Sequence, residues 1–243
     1  VWLKLDTGMH RLGITPGQVS EMLQRLTQLE TVAQPLRLMT HLANADDRQD
    51  ETTPQQLARF DSATADLSLE ASIANSAGIL AWPDTHRDWV RPGIMLYGVS
   101  PFVDSSAVEH DLQPVMTLQS ELIAVNQQRQ GDPVGYGGAY RCPADMPVGV
   151  VAIGYGDGYP RHAPSGTPVL VDGKRVPLIG RVSMDMICVD LRDCPNASIG
   201  DPVELWGAAL PVEEIARQAG TIGYELLCQI TPRVSHEYQH GII

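Results

Sequence analysis

The sequence predicts an α/β part followed by a mainly β part: the C-terminal part of a TIM-type (β/α)8 barrel, and then a mainly β-strand domain. Two observations predict this. Strand and helix signals alternate through residues 1–112, as they do in parallel sheets whose strands are joined by helices. Through residues 113–243, helical periodicity gives way to short Val- and Ile-rich segments separated by Gly and Pro.

The first strand-helix pair occupies the start of the chain. Residues 2–5 form a short apolar strand that ends at Asp6. A helix then begins, with Thr15 as its cap, Pro16 as its first-turn proline and Gln18 as its capping-box glutamine. Its buried face follows at helical spacing and comprises Val19, Met22, Leu23, Leu26 and Leu29.

The same pattern then repeats. Residues 36–40 read as a strand ending at His41, and Thr53 reads as the cap of a second helix. Residues 72–74 form a third strand, and residues 89–90 lead into Arg91 as a fourth. A complete barrel needs about 250 residues. Because residues 2–5 already resemble a strand interior, we expect further barrel strands upstream of Val1.

The second part contains six strand signals and one helix. The helix follows Pro211, and Asp172 with Gly173 marks a hairpin turn. The strand signals cover residues 118–125, 148–153, 168–171, 176–179, 186–189 and 203–205, and the helix covers residues 212–219.

Composition excludes several classes of function. The 243 residues are 43% hydrophobic and 19% charged, with a net charge of -12 and no basic stripe, which argues against a nucleic-acid partner. No apolar run is long enough to span a membrane. The four cysteines lack CxxC spacing, so we expect no metal site and reduced thiols. These features are typical of a cytoplasmic protein.

Polar side chains stand where the predicted parallel strands end. They are Lys4 and Asp6 at the first end, His41 at the second, Asn75 and Ser76 at the third, and Arg91 at the fourth. Each has an ordinary structural explanation: a histidine at a strand end is more often structural, a serine can cap a helix, and an arginine can pair with an acid. Four strand ends in register favour an active site, since barrels place their chemistry at this edge.

Eight sequence blocks, in order, carry a resemblance to alanine racemases. They are KLDTGMHRLG (4–13), THLANAD (40–46), ANSA (74–77), VRPGIMLYG (90–98), GYG (135–137), GYGDG (154–158), GRVSMD (180–185) and GYE (223–225). Each block alone is weak, and GYG alone would read as a glycine-rich turn. The resemblance implies a barrel followed by a β domain, pyridoxal 5'-phosphate (PLP) as cofactor, alanine as substrate and a homodimer with shared active sites.

The resemblance also implies roles for individual residues. Tyr136 matches the base that removes the α-proton of L-alanine, and Arg11 and the backbone of Met184 match the contacts to the substrate carboxylate. The positions that hold the cofactor correspond to His41, Ser76, Arg91, Gly93, Ile94 and Tyr224. Those lining the access passage correspond to Asp46, Tyr155, Arg161, Arg181 and Asp185.

The chain contains two lysines, and the cofactor requires one. Lys174 follows the predicted hairpin turn. Lys4 lies on a strand, and spacing alone allows it to be the cofactor lysine. The resemblance instead matches Lys4 to a lysine that is often carbamylated and that orients Arg11. We therefore expect the cofactor lysine upstream of Val1, and we expect residues 1–243 alone to be inactive.

Three alternatives remain open at this stage. One is a racemase of broader substrate range, and another is a non-catalytic PLP-binding barrel protein, although such proteins usually lack the β domain. The third is a fragment that only binds or dimerises. Whether the D-alanine would serve biosynthesis or alanine breakdown is also left open by the sequence.

Overall fold

The computed structural model describes residues 1–239 and divides the chain into two compact units, Val1–Leu112 and Gln113–Ile243. The first unit contains a parallel three-stranded sheet of β1 (Trp2–Lys4), β2 (Arg37–Met39) and β3 (Ala71–Ser72), in that order. Its register aligns Leu3 with Leu38 and Leu38 with Ala71. These side chains are buried, as expected for a parallel sheet covered by helices.

Three α-helices accompany this sheet: α1 (Val19–Thr27), α2 (Thr52–Thr64) and α3 (Ser76–Ala81). The predicted capping box at Thr15 is present and starts a 3-10 turn, Pro16–Gln18, that leads into α1. Val19 and Phe60 are buried in one apolar cluster with the strand residues. The Asn75 side chain caps α3 by accepting a hydrogen bond from the Gly78 amide at 2.9 Å.

The predicted cap of the second helix was wrong by two residues, since the cap is Glu51 rather than Thr53. Thr53 lies inside α2, where its hydroxyl is buried without a hydrogen-bond partner among the described residues. Asp50 supplies the first-turn acceptor instead, because its carboxylate accepts the Thr52 amide at 2.5 Å. An aspartate two residues upstream therefore satisfies the first amide of this helix in place of a threonine cap.

Two predicted strands in this unit also differ from the structure. The third strand covers Ala71–Ser72 rather than residues 72–74, and residues 89–90 form no strand beyond a single bridge between Ser72 and Trp89. The physical reason is Arg91. Its amide donates to the Ala74 carbonyl at 3.0 Å and its side chain donates to the Ile73 carbonyl at 3.1 Å, which replaces the regular ladder.

The second unit is a closed antiparallel barrel, which confirms the predicted β part. The strands are β4 (Leu118–Gln128), β7 (Met146–Val151), β8 (Pro168–Val171), β9 (Lys174–Ile179), β10 (Ile187–Asp190) and β11 (Pro202–Trp206). Their order around the barrel is β10-β7-β4-β11-β8-β9. The hairpin turn at Asp172 and Gly173 has positive φ angles of 47° and 72°, as a tight hairpin requires.

Smaller elements complete this unit. A two-stranded arm pairs β5 (Pro133–Val134) with β6 (Tyr140–Arg141), and the predicted helix is α4 (Val212–Ala219). A second helix, α5 (Gly223–Cys228), follows it. Within residues 1–239, no helix combines the length and apolar character needed to cross a membrane. The same residues contain no group of three or more potential metal ligands.

Candidate active site

The loop after β1 presents Arg11. Its two ends are joined by backbone hydrogen bonds, from the Asp6 amide to the Ile14 carbonyl at 2.8 Å and from the Ile14 amide to the Lys4 carbonyl at 2.9 Å. The Asp6 carboxylate accepts the His10 amide at 2.9 Å and the Gly8 amide at 3.1 Å. The bond from the His10 amide is the main cause that lowers the pKa of Asp6. Arg11 is exposed on this braced loop.

His41 follows β2 and is half-buried. Burial lowers the pKa of His41 below its ordinary value of 6.5, and the positive charges of Arg91, Arg11 and Lys4 lower it further. The imidazole is therefore neutral at pH 7. Four predicted site residues thus share one electrostatic neighbourhood. Together with Ser76, they are termed the strand-end cluster: Lys4, Arg11, His41, Ser76 and Arg91.

Arg91 is fixed by three hydrogen bonds at the ends of neighbouring strands. Nη1 donates to the Ser72 hydroxyl at 2.5 Å, and Nη2 donates to the Thr40 carbonyl at 2.7 Å and to the Ile73 carbonyl at 3.1 Å. Burial lowers the pKa of Arg91, yet a guanidinium keeps its proton throughout the physiological range. The site therefore holds a permanent, immobilised hydrogen-bond donor.

Ser76 is the first residue of α3 and is buried. Its Oγ accepts the Gly93 amide at 2.9 Å and the Met95 amide at 3.4 Å, at the start of the 3-10 helix Ile94–Tyr97. Both bonds use lone pairs of the hydroxyl, so its proton stays available to an anion. Asp46 lies in the turn that follows His41 and is half-buried.

Tyr136 lies in the second unit, between β5 and β6, and its side chain is 70% exposed. Gly135 and Gly137 on either side both have φ angles of 69°, a conformation that glycine adopts readily. A Cβ atom at Gly137 would lie 3.5 Å from Nη1 of Arg181. That is an ordinary van der Waals distance, so the positive φ angles, rather than lack of space, favour glycine on either side of Tyr136, and the Arg181 guanidinium lies against this loop.

Two further loops of this unit are joined through their backbones. The Tyr155 amide donates to the Ser183 carbonyl at 3.0 Å, and the Gly156 amide donates to the Met184 carbonyl at 2.8 Å. A Cβ at Gly154 would lie 2.3 Å from the Ser183 carbonyl oxygen, so only glycine fits. With the Tyr136 loop, these form the loop cluster: Tyr136, Tyr155, Arg181, Met184 and Asp185.

Asp157 and Arg233 belong to the ion pairs between these loops and were not predicted from the sequence. Nε of Arg233 lies 3.2 Å from the Asp157 carboxylate, and Nη2 donates to the Asp185 carboxylate at 2.5 Å. The hydrogen bond to Asp185 and the charge of Asp157 raise the pKa of Arg233. Asp157 lies inside the GYGDG block, so the sequence carried a signal for it. Arg233 lies outside all eight blocks.

The remaining predicted residues of the second unit lie in separate elements. Arg161 is exposed in the turn that follows residue 160. Tyr224 is the second residue of α5 and is 44% exposed.

Comparison with known families matches almost all of this chain. Residues 1–101 match the N-terminal domain of alanine racemase, and residues 115–238 match its C-terminal domain. The chain belongs to the alanine racemase family. The resemblance seen in the eight sequence blocks is thereby confirmed, as is the family's order of an N-terminal domain before a C-terminal β domain.

Individual relatives agree with the family match. The alanine racemase of Halorhodospira halophila is 56% identical over 241 residues, covering 99% of this chain and 66% of that protein. The one from Nitrosococcus oceani is 57% identical over 234 residues, covering 96% of this chain and 65% of that protein. The chain therefore spans about two thirds of the length of the curated relatives it matches.

Solved structures show the same similarity. The biosynthetic alanine racemase from Pseudomonas aeruginosa has a TM-score of 0.96 at 51% identity, over 99% of this chain and 67% of that one. The alanine racemase from Bartonella henselae, described with covalently bound pyridoxal phosphate, has a TM-score of 0.84 at 32% identity. That match covers 95% of this chain and 64% of the other.

Proposed function

We propose that this chain provides most of the active site of a PLP-dependent enzyme that interconverts L-alanine and D-alanine. The observation that carries the proposal is the strand-end cluster, in which a buried serine hydroxyl, a fixed arginine and a neutral histidine lie at one sheet edge. The resemblance assigns a role to each of these residues, and the curated relatives are alanine racemases. In this proposal, the first unit is the C-terminal part of a TIM-type barrel.

The residues present fit the cofactor. Ser76 and the backbone amides near Gly93 and Ile94 are assigned to its phosphate, since a hydroxyl with a free proton beside backbone amides suits an anion. Tyr224 is assigned to the same phosphate. When bound, PLP withdraws electrons from the amino acid and makes its α-proton easier to remove.

Arg91 is assigned to the nitrogen of the cofactor ring, with His41 beside it. Because the guanidinium cannot give up its proton, it donates a hydrogen bond without protonating that nitrogen. By leaving that nitrogen unprotonated, Arg91 would weaken the electron withdrawal of a bound cofactor and so would limit side reactions. The three hydrogen bonds of Arg91 hold the donor in place for this role.

Tyr136 is assigned as the base on the L-alanine side. A tyrosine has an ordinary pKa of about 10, so its phenolate needs nearby positive charge at neutral pH. Arg11 is assigned to supply that charge and to bind the substrate carboxylate with the Met184 backbone. Because Tyr136 is an exposed residue on a loop, it suits the family arrangement in which this tyrosine serves the partner's active site in a homodimer.

The opposing base is assigned to a lysine outside residues 1–243, so these residues alone would be inactive. Lys174 is exposed beside the hairpin turn of β8 and β9. Lys4 lies on β1 opposite Met39 of β2. Its charge there lowers the pKa of His41, which agrees with the supporting position that the resemblance gives Lys4.

The access passage is assigned to Asp46, Tyr155, Arg161, Arg181 and Asp185. Bulky side chains there would restrict the substrate to a small side chain such as the methyl group of alanine. The competing hypothesis is a racemase of broader range. The two hypotheses are separated by comparing the turnover of alanine with that of larger amino acids by the complete gene product with PLP added. A broad-range racemase would turn over both.

The decisive experiment is Tyr136→Phe in the complete gene product. Exchange of the α-proton of L-alanine with solvent should fall by about 10²- to 10⁴-fold, the usual contribution of a positioned acid-base group. The absorbance of bound PLP should persist. Tyr140→Phe, four residues away on the β5–β6 arm, is the matched control and should retain exchange. Unchanged exchange in Tyr136→Phe would remove the assigned role.

A further inference from the structure

Arg233 connects two loops of the second unit that carry proposed site residues. Its guanidinium contacts the Asp157 carboxylate at 3.2 Å on one loop and the Asp185 carboxylate at 2.5 Å on the other. Tyr155 lies two residues before Asp157, and Met184 lies immediately before Asp185. One side chain therefore ties together the loop of Tyr155 and the loop of Met184.

The surroundings of Arg233 are shaped to admit its guanidinium. A Cβ atom at Gly156 would lie 2.4 Å from Nη1 of Arg233, so glycine at this position leaves room for the arginine. Thr231 braces the same segment, because its hydroxyl donates to the Gly156 carbonyl at 2.9 Å and its amide donates to the Asp157 carbonyl at 3.1 Å. Asp157 is itself oriented by the Gly154 amide at 2.9 Å.

We propose that Arg233 is a positioning residue that holds the Met184 backbone where it can contact the substrate carboxylate. This inference rests on the proposed function, in which Met184 makes that contact. The Met184 carbonyl accepts the Gly156 amide at 2.8 Å, and Arg233 fixes both ends of this junction through Asp157 and Asp185.

Folding stability alone does not account for the contact with Asp185. The side chain of Arg233 is 49% exposed and that of Asp185 is 52% exposed, and exposed ion pairs contribute little to folding stability. The Asp157 side chain is only 14% exposed, so its pair with Arg233 can also stabilise the fold. The effect of the contact with Asp185 therefore falls on the geometry of the two loops, where small displacements of a substrate contact alter binding strongly.

The test compares Arg233→Gln, Arg233→Lys and Asp185→Asn in the complete gene product loaded with PLP. Arg233→Gln should raise the KM for alanine by roughly tenfold with a much smaller change in kcat, as when a contact shared by ground state and transition state is lost. In Arg233→Lys, which keeps one cationic donor, the rise in KM should be smaller than in Arg233→Gln. Hydrogen exchange at the Tyr155 and Gly156 amides should become faster in Arg233→Gln, and this readout does not depend on activity.

Arg192→Gln is the matched control. Arg192 pairs with Asp190 at 2.7 Å at the end of β10, and it is likewise about half exposed. Each of the two substitutions leaves a mostly buried aspartate, Asp190 or Asp157, without its guanidinium partner. Arg192→Gln should therefore lower Tm about as much as Arg233→Gln does, and it should leave KM unchanged.

Each outcome is decisive. An unchanged KM in Arg233→Gln, or an equal rise in Arg192→Gln, overturns the inference. If Arg233→Gln does not fold, Asp185→Asn decides through hydrogen exchange at the Tyr155 and Gly156 amides, because a change in KM could also come from the place of Asp185 in the access passage. Exchange there should become faster, and unchanged exchange overturns the inference. A wild-type protein that does not racemise alanine rejects the proposed function, whereas the exchange measurement still reports whether Arg233 holds the loops.

Discussion

At the scale of single residues, burial first and the nearby cations second lower the pKa of His41. Burial and the charges of Arg91, Arg11 and Lys4 all disfavour the imidazolium. Between the ordinary pKa of 6.5 and the lower folded value, the unfolded chain binds a proton that the folded chain does not. The contribution of His41 to stability is therefore complete above pH 6.5 and is lost as the pH falls through the folded pKa.

This predicts the titration of His41 by NMR with ¹³C-labelled histidine. Its midpoint should lie below 6.5, and Arg91→Gln should move the midpoint upward because one positive charge is removed. Arg37→Gln removes a charge that pairs with Glu70 and should leave the midpoint in place. A midpoint at or above 6.5 in the wild type would contradict the environment described.

Ser76 permits a second test at this scale. Ser76→Ala removes the hydroxyl that lies beside the Gly93 and Met95 amides. Loss of a hydrogen bond to a charged phosphate costs about 1.5–3 kcal/mol, or roughly 10- to 150-fold in the Kd for PLP. Equilibrium titration of the apoprotein with PLP measures this change in Kd. The exposed Ser62→Ala should bind as the wild type does, and equal Kd values in both variants would reject the assignment.

At the scale of elements, close backbone approaches determine where the loops of the second unit lie. A Cβ at Gly154 would stand 2.3 Å from the Ser183 oxygen and 2.4 Å from the Met184 oxygen, both on the backbone. Since neither atom belongs to a flexible side chain, the two loops would have to separate. The hydrogen bonds of Tyr155 and Gly156 across this junction would then lengthen.

Gly154→Ala should accordingly destabilise the protein by about 1–3 kcal/mol, as overpacking commonly does. Gly17→Ala is the matched control, because a Cβ there meets nothing within 4 Å. Its free energy of unfolding should differ from that of the wild type by no more than about 0.5 kcal/mol. Urea unfolding of the two variants provides the comparison. Equal stabilities would show that the junction tolerates a side chain.

Elements with strong local signals agree with the sequence, and those decided by distant partners do not. The capping box at Thr15, the helix Val212–Ala219 and the hairpin at Asp172 depend on neighbouring residues and were predicted from them. The short third strand departs from expectation because Arg91, far along the chain, takes the carbonyls of residues 73 and 74.

At the scale of the whole molecule, the second unit has the construction of an autonomous domain. Its barrel is closed through pairing of β9 with β10, so the six barrel strands all have neighbours on both sides. Leu122, Val151, Val203 and Leu205 are fully buried within it. A closed sheet around its own core satisfies the requirements for folding alone.

Residues 113–243 expressed alone should therefore show a β-type circular dichroism spectrum and unfold cooperatively. Leu205→Ala should destabilise this unit by about 2–5 kcal/mol, because it empties a buried leucine site. Ile199→Ala, at a side chain that is 69% exposed, should change stability little. Non-cooperative unfolding of the isolated unit would show that it depends on residues outside it.

Sequence alone is enough to assign the family and the order of an α/β part and a β part, and it predicts the residues of the site. These follow from local periodicity and from motifs whose residues lie close together in the chain, such as the block that holds Arg11. Only the tertiary structure decided that Lys4, Arg11 and Arg91 act together on the pKa of His41, and that Arg233 joins Asp157 to Asp185. Charges act through space, and no spacing along the chain encodes which distant loops will meet.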